Sequence, residues 1–401
     1  MKPVEVVKGI YWVGAVDWNI RDFHGYSTKQ GTTYNAFLIV DEKVALVDTV
    51  KAPFADDLIH KIEQIIDPSK IDMVISNHTE MDHTGSLPKV MQRIGKDKPI
   101  YCSKMGAKNI PLHFGDIFNL QTVKTGQEIS LGTKTLSFIE TRMIHWPDSM
   151  FTYCKEDKLL FSSDGFGQHL ASLERFDDQL SHPITGHAKT YFANILMLYA
   201  PMISKLIQKV IDMNLEIDII APDHGLMWRK DPIKIIESYA KWCQLKPSNK
   251  AVVIYDTMWK STDKMAEAIA GGLGDAGVDV KPMSLRTNVR SDVITEVMDA
   301  GIVAVGSPTL NNTLFPPVSD FLTYMKGLKP RNKIGVAFGS YGWSGEAPKI
   351  IHQILSDLNF NMPLDPIKVQ YVPDSDALED CYKKGLELGN TLKTMLEADQ
   401  G

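Results

Sequence analysis

The chain has 401 residues, which at roughly 150 residues per domain predicts two or three domains. Its hydrophobic fraction of 44% and charged fraction of 23% are ordinary for a globular protein. The 43 Lys and Arg against 49 Asp and Glu give a formal charge of −6, which argues against a nucleic-acid-binding face, and no Lys/Arg cluster suggests a membrane surface.

The cysteines are far apart and form no CxxC pair, at Cys102, Cys154, Cys243 and Cys381. A zinc ribbon, a cysteine-ligated iron–sulfur cluster and a rubredoxin module are therefore not expected within this chain. Reduced, buried thiols in a cytosol are the simpler interpretation. The first five residues lack the apolar stretch of a signal peptide, and apolar runs such as Ile217–Pro222 are too short to cross a bilayer. We expect a soluble, cytoplasmic protein.

Residues 1–247 predict a first domain that mixes short strands with helices. Strand-like runs occur at Ala36–Val40, Val44–Val50, Met73–Ser76, Thr135–Glu140, Met150–Cys154 and Lys158–Ser162. Helical periodicity occurs at Phe54–Ile66 and Tyr191–Met213. Strands mixed with helices in this order predict an α+β sandwich or layered fold.

The polar stretch Leu245–Lys250 predicts a linker, and residues 248–401 then alternate strands with helices as a second domain. The predicted strands are Ala251–Tyr255, Val278–Met283, Ile302–Val305, Lys333–Phe338 and Ile367–Tyr371. The predicted helices are Thr262–Leu273, Asp292–Asp299, Val318–Met325, Ala347–Leu358 and Ser375–Ala398. Five such units indicate a doubly wound parallel sheet.

A cluster of potential metal ligands follows the predicted strand Met73–Ser76, in the run Asn77-His-Thr-Glu-Met-Asp-His83. Three more candidates each follow a strand-like run further along the chain. The full set is His78, Glu80, Asp82, His83, His145, Asp164 and His224. Seven ligands exceed what one tetrahedral ion needs, so the sequence predicts two ions. A bridging carboxylate would bring them within about 4 Å of each other.

This spacing resembles the HxHxDH signature of the metallo-β-lactamase superfamily, with Glu80 where its hydrolases carry histidine. A carboxylate in place of an imidazole shifts the preference from zinc toward iron or manganese. The HxExDH form resembles the flavodiiron proteins. That resemblance assigns His78, Glu80 and His145 to one iron and Asp82, His83 and His224 to the other, with Asp164 as the bridge.

Other residues near the ligands have expected supporting roles. Asp48 ends a predicted strand and is expected to anchor the ligand loop from outside. The family resemblance places the early segment that contains His24 near the metals and makes His24 and Tyr191 candidate donors for a proton-consuming reaction.

The first turn of the second domain carries hydroxyls at Thr257, Ser261 and Thr262 beside a helix N-terminus, which favours a phosphate. Neither GxGxxG nor GxxxxGK[ST] occurs there, so a flavin mononucleotide (FMN) fits better than a dinucleotide. The turn resembles the flavodoxin phosphate loop T-x-T-G-x-T, with Trp259 and Lys260 at its Thr and Gly positions. Two further loops follow later strands, where ligands of such sheets bind. The predicted FMN contacts are Thr257, Met258, Trp259, Lys260, Ser261, Thr262, Ser307, Pro308, Thr309, Leu310, Asn311, Asn312, Ser340, Tyr341, Gly342, Trp343, Ser344 and Gly345.

The resemblance to flavodiiron proteins covers essentially the whole chain. It implies an α+β metallo-β-lactamase-like αββα sandwich followed by an α/β flavodoxin-like doubly wound parallel sheet. It also implies FMN, two iron ions, and reduction of O2 to water, of NO to N2O, or of both. The expected electron donor is a separate rubredoxin, with a reduced deazaflavin coenzyme as the alternative. The expected assembly is a head-to-tail homodimer, possibly a dimer of dimers.

Two other classes of protein stay open at this point. One is a dinuclear zinc hydrolase of the metallo-β-lactamase superfamily that carries a flavodoxin-like appendage. The other is an electron carrier whose metal site is only structural. Glu80 and the lack of an evident substrate-binding insertion argue against the hydrolase, and seven ligands argue against the carrier.

Overall fold

The computed structural model describes residues 1–398, which divide into two units. The first unit contains Met1–Phe192 and Pro201–Ala240, and the second contains Ala193–Ala200 and the chain from Lys241 onward. The short segment 193–200 is held in the second unit by Asn194, whose side chain donates to Ser291 O (3.1 Å) and accepts from Tyr324 Oη (2.7 Å). The predicted boundary after residue 247 stays a prediction, and residues 399–401 of the predicted second domain lie outside the described residues.

The strands of the first unit are short, and many are buried on both faces. They are β1 (Val4–Val7), β2 (Ile10–Trp12), β3 (Ala15–Asp17), β4 (Asp22–Phe23), β5 (Tyr26–Ser27), β6 (Thr32–Tyr34), β7 (Phe37–Val40), β8 (Val44–Val47), β9 (Met73–Ser76), β10 (Pro99–Ser103), β11 (Asn119–Val123), β12 (Glu128–Ser130), β13 (Thr135–Glu140), β14 (Met150–Cys154), β15 (Leu159–Phe161) and β16 (Ile219–Ala221).

Two sheets of the first unit pack face to face. One has seven strands in the order β1-β2-β7-β8-β9-β10-β11, and the other has five in the order β12-β13-β14-β15-β16. The core between them contains Trp12, Phe37 and Ile75 from the first sheet and Phe138 and Phe161 from the second, all fully buried. Alternate residues of each strand face the opposite way and pack against helices.

The helices of the first unit lie on the outer faces of these sheets. They are α1 (Ala55–Glu63), α2 (Met81–Thr84), α3 (Leu87–Ile94), α4 (Gly106–Phe114), α5 (Thr185–Tyr191), α6 (Ala200–Asp212) and α7 (Pro232–Cys243). Leu58 of α1, Val90 of α3 and Ile110 of α4 pack against the seven-stranded sheet. Ile203 of α6 and Tyr239 of α7 line the outer face of the five-stranded sheet. The predicted αββα sandwich is confirmed.

One predicted helix differs from the structure. The helix expected over Tyr191–Met213 begins earlier, at α5, and is interrupted by a π-helix at Phe192–Leu196 and a 3₁₀ turn at Met197–Tyr199 before α6. Pro201 explains part of the interruption, because proline has no N–H for an α-helical bond and its ring clashes with the preceding turn.

The sequence analysis missed four helices of the first unit, α2, α3, α4 and α7. Three of them carry prolines that weaken a helical pattern, with Pro88 in the first turn of α3, Pro111 inside α4 and Pro232 at the start of α7.

The helical stretch Thr185–Asp212 is long and apolar enough, by length and composition, to cross a bilayer. However, half of its most apolar window is buried inside the protein, which is typical of a core helix. Tyr191 within this stretch is 1% exposed.

The second unit is an alternating α/β domain. Its strands are β17 (Ser248–Tyr255), β18 (Asp279–Ser284), β19 (Ala300–Gly306), β20 (Thr309–Leu310), β21 (Thr313–Leu314), β22 (Ile334–Tyr341) and β23 (Ile367–Gln370). Its helices are α8 (Ser261–Asp275), α9 (Arg290–Asp299), α10 (Pro316–Leu328), α11 (Ala347–Asp357) and α12 (Ser375–Ala398). Each of the ten predicted elements overlaps one of these. The hairpin β20–β21 was not predicted.

The sheet of the second unit is parallel throughout, in the order β18-β17-β19-β22-β23. This is the flavodoxin-like order, in which ligands bind beyond the carboxyl ends of the strands where the order reverses. Because β17, β19 and β22 are neighbours, the loops after these strands lie side by side. The predicted doubly wound sheet is confirmed.

A glycine pair on α8 tests the packing of the second unit. A Cβ at Gly272 would lie 2.0 Å from Tyr382 O of α12, whereas a Cβ at Gly274 on the same helix would meet nothing within 4 Å among the described residues. We expect Gly272→Ala to lower the free energy of unfolding by about 1–3 kcal/mol, because the extra methyl overpacks the helix contact.

The matched control is Gly274→Ala, which we expect to be neutral or to stabilise the protein by up to about 1 kcal/mol. Urea unfolding monitored by circular dichroism measures both variants. Equal stabilities of the two variants would contradict the close packing of α8 against α12.

Candidate metal centre and cofactor loops

All seven predicted metal ligands lie just beyond the ends of core strands. His78 and Glu80 follow β9, and Asp82 and His83 lie on the short helix α2. His145 lies between β13 and β14, Asp164 follows β15 and His224 follows β16. Since β15 and β16 are parallel neighbours, Asp164 and His224 emerge at the same edge of their sheet. The fold therefore collects residues that are far apart in sequence.

A first group consists of His78, Glu80, His145 and Asp164. The Nε2 atoms of His78 and His145 lie 3.3 and 3.2 Å from Glu80 Oε2. The same two atoms lie 3.4 and 3.0 Å from Asp164 Oδ2. All four ligand atoms fall within 4.8 Å of one another, a spacing that a single metal ion can span.

A second group consists of Asp82, His83 and His224, whose ligand atoms also fall within 4.8 Å of one another. His83 Nε2 lies 3.3 Å from Asp82 Oδ1, and His224 Nε2 lies 3.1 Å from Asp82 Oδ2. Asp164 faces this group as well, because its Oδ1 lies 3.3 Å from His83 Nε2 and 3.5 Å from His224 Nε2. Asp164 thus presents one oxygen to each group.

Several histidines are oriented from outside the cluster. His78 Nδ1 lies 3.1 Å from Asp148 Oδ2, which also accepts from Thr79 N (2.7 Å). His224 Nδ1 lies 2.7 Å from Thr33 O, so this nitrogen carries the proton. A histidine that donates through one ring nitrogen keeps the other free for a metal. In both residues the free nitrogen is Nε2, which faces the cluster.

The ligand loop is itself anchored. Asp48 Oδ1 accepts from Asn77 N (2.7 Å) and Asp48 Oδ2 accepts from Asn77 Nδ2 (2.7 Å). Asn77 in turn accepts from Thr152 Oγ1 (2.6 Å) of β14. The expected anchoring role of Asp48 is therefore confirmed.

The unpartnered atoms of the cluster fit a metal centre. Among the described residues, both carboxylate oxygens of Asp82, both ring nitrogens of His83 and Asp164 Oδ2 are buried without a hydrogen-bond partner. The Asp82 and Asp164 oxygens and His83 Nε2 lie 3.0–3.3 Å from other ligand atoms, and His83 Nδ1 lies 3.6 Å from Asp223 Oδ2. Buried polar atoms without partners are costly, and atoms directed at a common centre are satisfied by a cation.

The imidazoles and carboxylates of the cluster shift one another's pKa values. Burial lowers the pKa of His78, but its hydrogen bonds to Asp148 and Glu80 and the charge of Asp164 outweigh burial and raise it to about 10. Burial raises the pKa of Asp164, yet the neighbouring His83 and His145 hold it well below its ordinary value. The carboxylate of Asp164 therefore stays ionised. Imidazoles with carboxylates suit iron, whereas thiolates would favour zinc.

The two predicted donors lie beside the cluster on different sides. Tyr191 is buried, and its hydroxyl donates to Asp164 Oδ1 (3.1 Å). Burial and the charge of Asp164 raise the pKa of Tyr191 well above its ordinary value, so the hydroxyl keeps its proton. His24 Nε2 lies 3.4 Å from Glu80 Oε1, and its side chain is 78% exposed.

Two residues near the cluster were missed by the sequence analysis. Asp148 follows His145 by three residues in the chain. An acidic residue so close to a predicted ligand could have indicated a residue that orients a ligand histidine. His169 is fully buried, its Nδ1 lies 2.7 Å from Thr32 Oγ1, and its ring centroid lies 4.8 Å from that of His224. Burial and the neighbouring His224 hold the pKa of His169 well below its ordinary value, so this ring is neutral. Nothing in the local sequence around His169 indicates that position.

The predicted cofactor loops of the second unit follow β17, β19 and β22. Residues 257–262 lead into α8, residues 307–312 lead into the hairpin β20–β21, and residues 340–345 precede α11. Thr262 Oγ1 and Ser340 Oγ lie 3.0 Å apart, which joins the first loop to the third. Ser344 Oγ donates to Asn312 Oδ1 (3.3 Å), which joins the second loop to the third. All three loops therefore contribute to one surface.

This surface fits a phosphate and a flat ring. Thr257 Oγ1 is buried without a hydrogen-bond partner among the described residues, beside the N-terminus of α8. The helix N-terminus carries partial positive charge and free N–H groups, which bind phosphate. Trp259 and Trp343 are 88% and 81% exposed, so two large aromatic faces are available in two of the loops. Lys260 has a left-handed backbone (φ 68°), and its ammonium pairs with Asp263 Oδ2 (3.0 Å).

The sequence analysis did not identify Asp256 and Arg286 at this surface. Asp256 Oδ1 accepts from Thr257 N (2.6 Å) and from Arg286 Nε (2.7 Å), and Arg286 also donates to Thr257 O (2.6 Å). These bonds hold the first loop from behind.

Comparison with known proteins agrees with both halves of the chain. A family model described as ODP family beta lactamase matches residues 32–225. A second family model, described as Flavodoxin, matches residues 253–385.

Three relatives match nearly the whole chain. Nitric oxide reductase of Moorella thermoacetica is 49% identical over 392 residues, covering 96% of this chain and 98% of the relative. Rubredoxin-oxygen oxidoreductase of Megalodesulfovibrio gigas is 42% identical over 403 residues, covering 99% of this chain and 100% of the relative. Coenzyme F420H(2) oxidase of Methanothermobacter marburgensis is 38% identical over 397 residues, covering 96% and 97%.

Solved structures are similarly close. The rubredoxin oxygen:oxidoreductase of Desulfovibrio gigas has a TM-score of 0.96 at 42% identity, covering 98% of this chain and 100% of that one. The flavodiiron protein of Giardia intestinalis has a TM-score of 0.94 at 34% identity, covering 99% and 98%. With sequence, fold and candidate site in agreement, the chain belongs to the flavodiiron protein family.

Proposed function

We propose that this chain is an FMN- and diiron-dependent oxidoreductase that reduces O2 to water, NO to N2O, or both. The observation that carries the proposal is Asp164, which presents one carboxylate oxygen to each of two histidine–carboxylate groups. A carboxylate in that position could hold two metal ions, one through each oxygen. The oxidoreductase names of the relatives support the same class of reaction.

In this proposal, His78, Glu80 and His145 hold one iron, and Asp82, His83 and His224 hold the other. When bound, FMN and the two irons supply the electron storage and the gas-binding position that the protein side chains lack. The protein holds each imidazole in the tautomer that leaves Nε2 free, through Asp148 for His78 and Thr33 for His224.

Both gas reductions consume protons, and two residues are suited to handle them. We assign proton entry to His24, because its exposed ring exchanges protons with water and its Nε2 lies 3.4 Å from Glu80. Tyr191 holds the orientation of Asp164 through its hydroxyl and provides a buried donor on the opposite side.

We assign FMN to the three loops of the second unit. Thr257, Ser261 and Thr262 with the N-terminus of α8 hold the phosphate, and the loops at 307–312 and 340–345 flank the ring. The buried, unpartnered hydroxyl of Thr257 supports this assignment.

The electron donor is a separate protein or coenzyme in this proposal. The name of one relative refers to rubredoxin and that of another to coenzyme F420H(2), so a rubredoxin is the first candidate and a deazaflavin coenzyme the second. The four cysteines are free thiols with no CxxC pair, so this chain carries no rubredoxin site of its own.

The hydrolase alternative is not favoured. The relatives that cover the whole chain are named as oxidoreductases, and Glu80 contributes a carboxylate to the first group where a zinc hydrolase would use histidine.

The proposed assembly is a head-to-tail homodimer, possibly paired into a dimer of dimers, and the proposed location is the cytoplasm. The family resemblance supports the homodimer. The free cysteines agree with a cytoplasmic location.

The proposed function is tested by anaerobic reduction of the purified protein. We expect two irons and one FMN per chain, and we expect reoxidation by NO, by O2 or by both in stopped-flow measurements. Faster turnover of NO identifies a nitric oxide reductase, and faster turnover of O2 identifies an oxygen reductase. Zinc in place of iron, with no turnover of either gas, would favour the hydrolase.

The diiron assignment predicts the behaviour of Asp164→Ala. We expect this variant to lose iron and gas reduction yet retain FMN, because the bridging carboxylate is removed while the second unit is unchanged. Iron analysis, the flavin absorption spectrum and gas turnover measure the three properties. Asp116→Ala, an exposed residue away from the cluster, is the control. Full activity of Asp164→Ala would contradict the diiron assignment.

The flavin assignment predicts the behaviour of Thr257→Ala. Loss of a hydrogen bond to a charged phosphate costs about 1.5–3 kcal/mol, which corresponds to roughly ten- to hundredfold weaker FMN binding. Iron content is expected to stay unchanged. Flavin titration of the reconstituted protein measures the affinity. Thr323→Ala, at an exposed position where the hydroxyl donates to Ser319 O of the same helix, is the control.

The head-to-tail dimer predicts complementation between two inactive chains. One chain carries Asp164→Ala and lacks iron, and the other carries Thr257→Ala with Ser261→Ala and lacks FMN at low flavin concentration. If the flavin of one subunit serves the irons of the other, mixed dimers regain gas turnover. If each flavin serves its own chain, mixing restores none.

A further inference from the structure

An apolar cavity lies in the first unit, between the outer face of the five-stranded sheet and the helices α6 and α7. Its volume is about 20 Å³, and its walls are wholly apolar. Phe151 of β14 forms one wall, and Ile203 and Ile207 of α6 form another. A cavity needs about 10–15 Å³ to admit a molecule the size of water, so this one admits a small molecule.

The cavity lies directly behind two of the ligand-bearing loops. Ile144 lines it and immediately precedes His145 in the chain, while Gly165 and Phe166 line it and immediately follow Asp164. Consecutive Cα atoms are about 3.8 Å apart, so residues that line the cavity and two ligands of the first group are direct neighbours in the same loops.

The loop between the cavity and the cluster is not regular structure. Ser163 and Phe166, on either side of Asp164 and Gly165, both have left-handed backbones, with φ of 49° and 65°. Residues other than glycine rarely adopt this conformation, and it persists where the surrounding structure enforces it. The ring of Phe166 packs 4.7 Å from that of Tyr239, centroid to centroid, which fixes this wall of the cavity.

The apolar walls of the cavity favour neutral gases over water. An apolar cavity stays free of water because a water molecule there would lose its hydrogen bonds. Neutral, weakly polar diatomic gases bear no such penalty and prefer an apolar surrounding to water. The ligand cluster itself is lined by carboxylates and imidazoles, so it offers no comparable apolar surface.

We propose that this cavity is a holding site for the neutral diatomic substrate, O2 or NO, next to the metal centre. This inference rests on the proposed function and adds to it a second binding site for the gas. Occupancy of the cavity raises the local concentration of substrate behind Asp164 and His145 and excludes water and ions from the same space.

Direct observation of the gas tests occupancy. Crystals of the oxidised holoenzyme are pressurised with dioxygen, which the oxidised enzyme has no electrons to reduce, and are then cooled and measured. We expect electron density for a diatomic molecule among Phe151, Ile203 and Phe166. An empty cavity at a pressure that saturates surface sites would overturn the proposal.

Variants of α6 test the role in turnover. Ile203→Phe fills the cavity, and Val210→Phe fills it from the next part of the helix, so the test does not depend on the folding of one variant. We expect a several-fold higher KM for the gas, an unchanged kcat at saturating gas, and unchanged iron and FMN. Ile211→Phe, at a 56% exposed position of the same helix, is the matched control and keeps the wild-type KM.

The outcomes separate this inference from the proposed function. A filled variant with iron, FMN and the wild-type KM would show that the cavity does not supply the gas. Density for dioxygen in the cavity without gas turnover by the wild-type enzyme would instead refute the proposed function. Density together with the raised KM supports both.

Discussion

The architecture of the first unit depends on the burial of Asp164 among histidines and other carboxylates. This carboxylate is 1% exposed, contacts both ligand groups and keeps its charge because His83 and His145 stabilise it. Ionised groups are costly to remove from water unless cations or hydrogen bonds compensate them. In the cluster, imidazoles and carboxylates therefore face one another in two groups, with Asp164 between them.

Backbone and side-chain hydrogen bonds hold those loops at the strand ends. Asp223 N donates to Ser163 O (2.7 Å), which ties the loop after β16 to the loop after β15. Asp48 and Asn77 tie the loop after β9 to the strand beside it. These bonds fix the loops that carry the ligand atoms at the ends of their strands.

The second unit offers a different kind of binding surface from the metal centre. A phosphate needs N–H groups and a positive potential rather than fixed cation ligands, and the N-terminus of α8 provides both. Thr262 and Ser340 connect neighbouring loops across the strand edge, and Asp256 with Arg286 supports the first loop from behind. Separate units allow each cofactor to have its own electrostatic surroundings within one chain.

The sequence by itself determined the class of each unit and the seven candidate ligands, because strand periodicity, strand-to-loop order and ligand residue types are local properties. It did not determine the roles of His169 or Arg286. His169 contacts Thr32, which lies 137 positions away in the chain, and Arg286 donates to Asp256, which lies 30 positions away. Only the tertiary structure decided which oxygen of Asp164 faces which group, and where α6 leaves a cavity. Such features depend on how separated elements pack, and side-chain packing between distant segments leaves no periodic trace in a sequence.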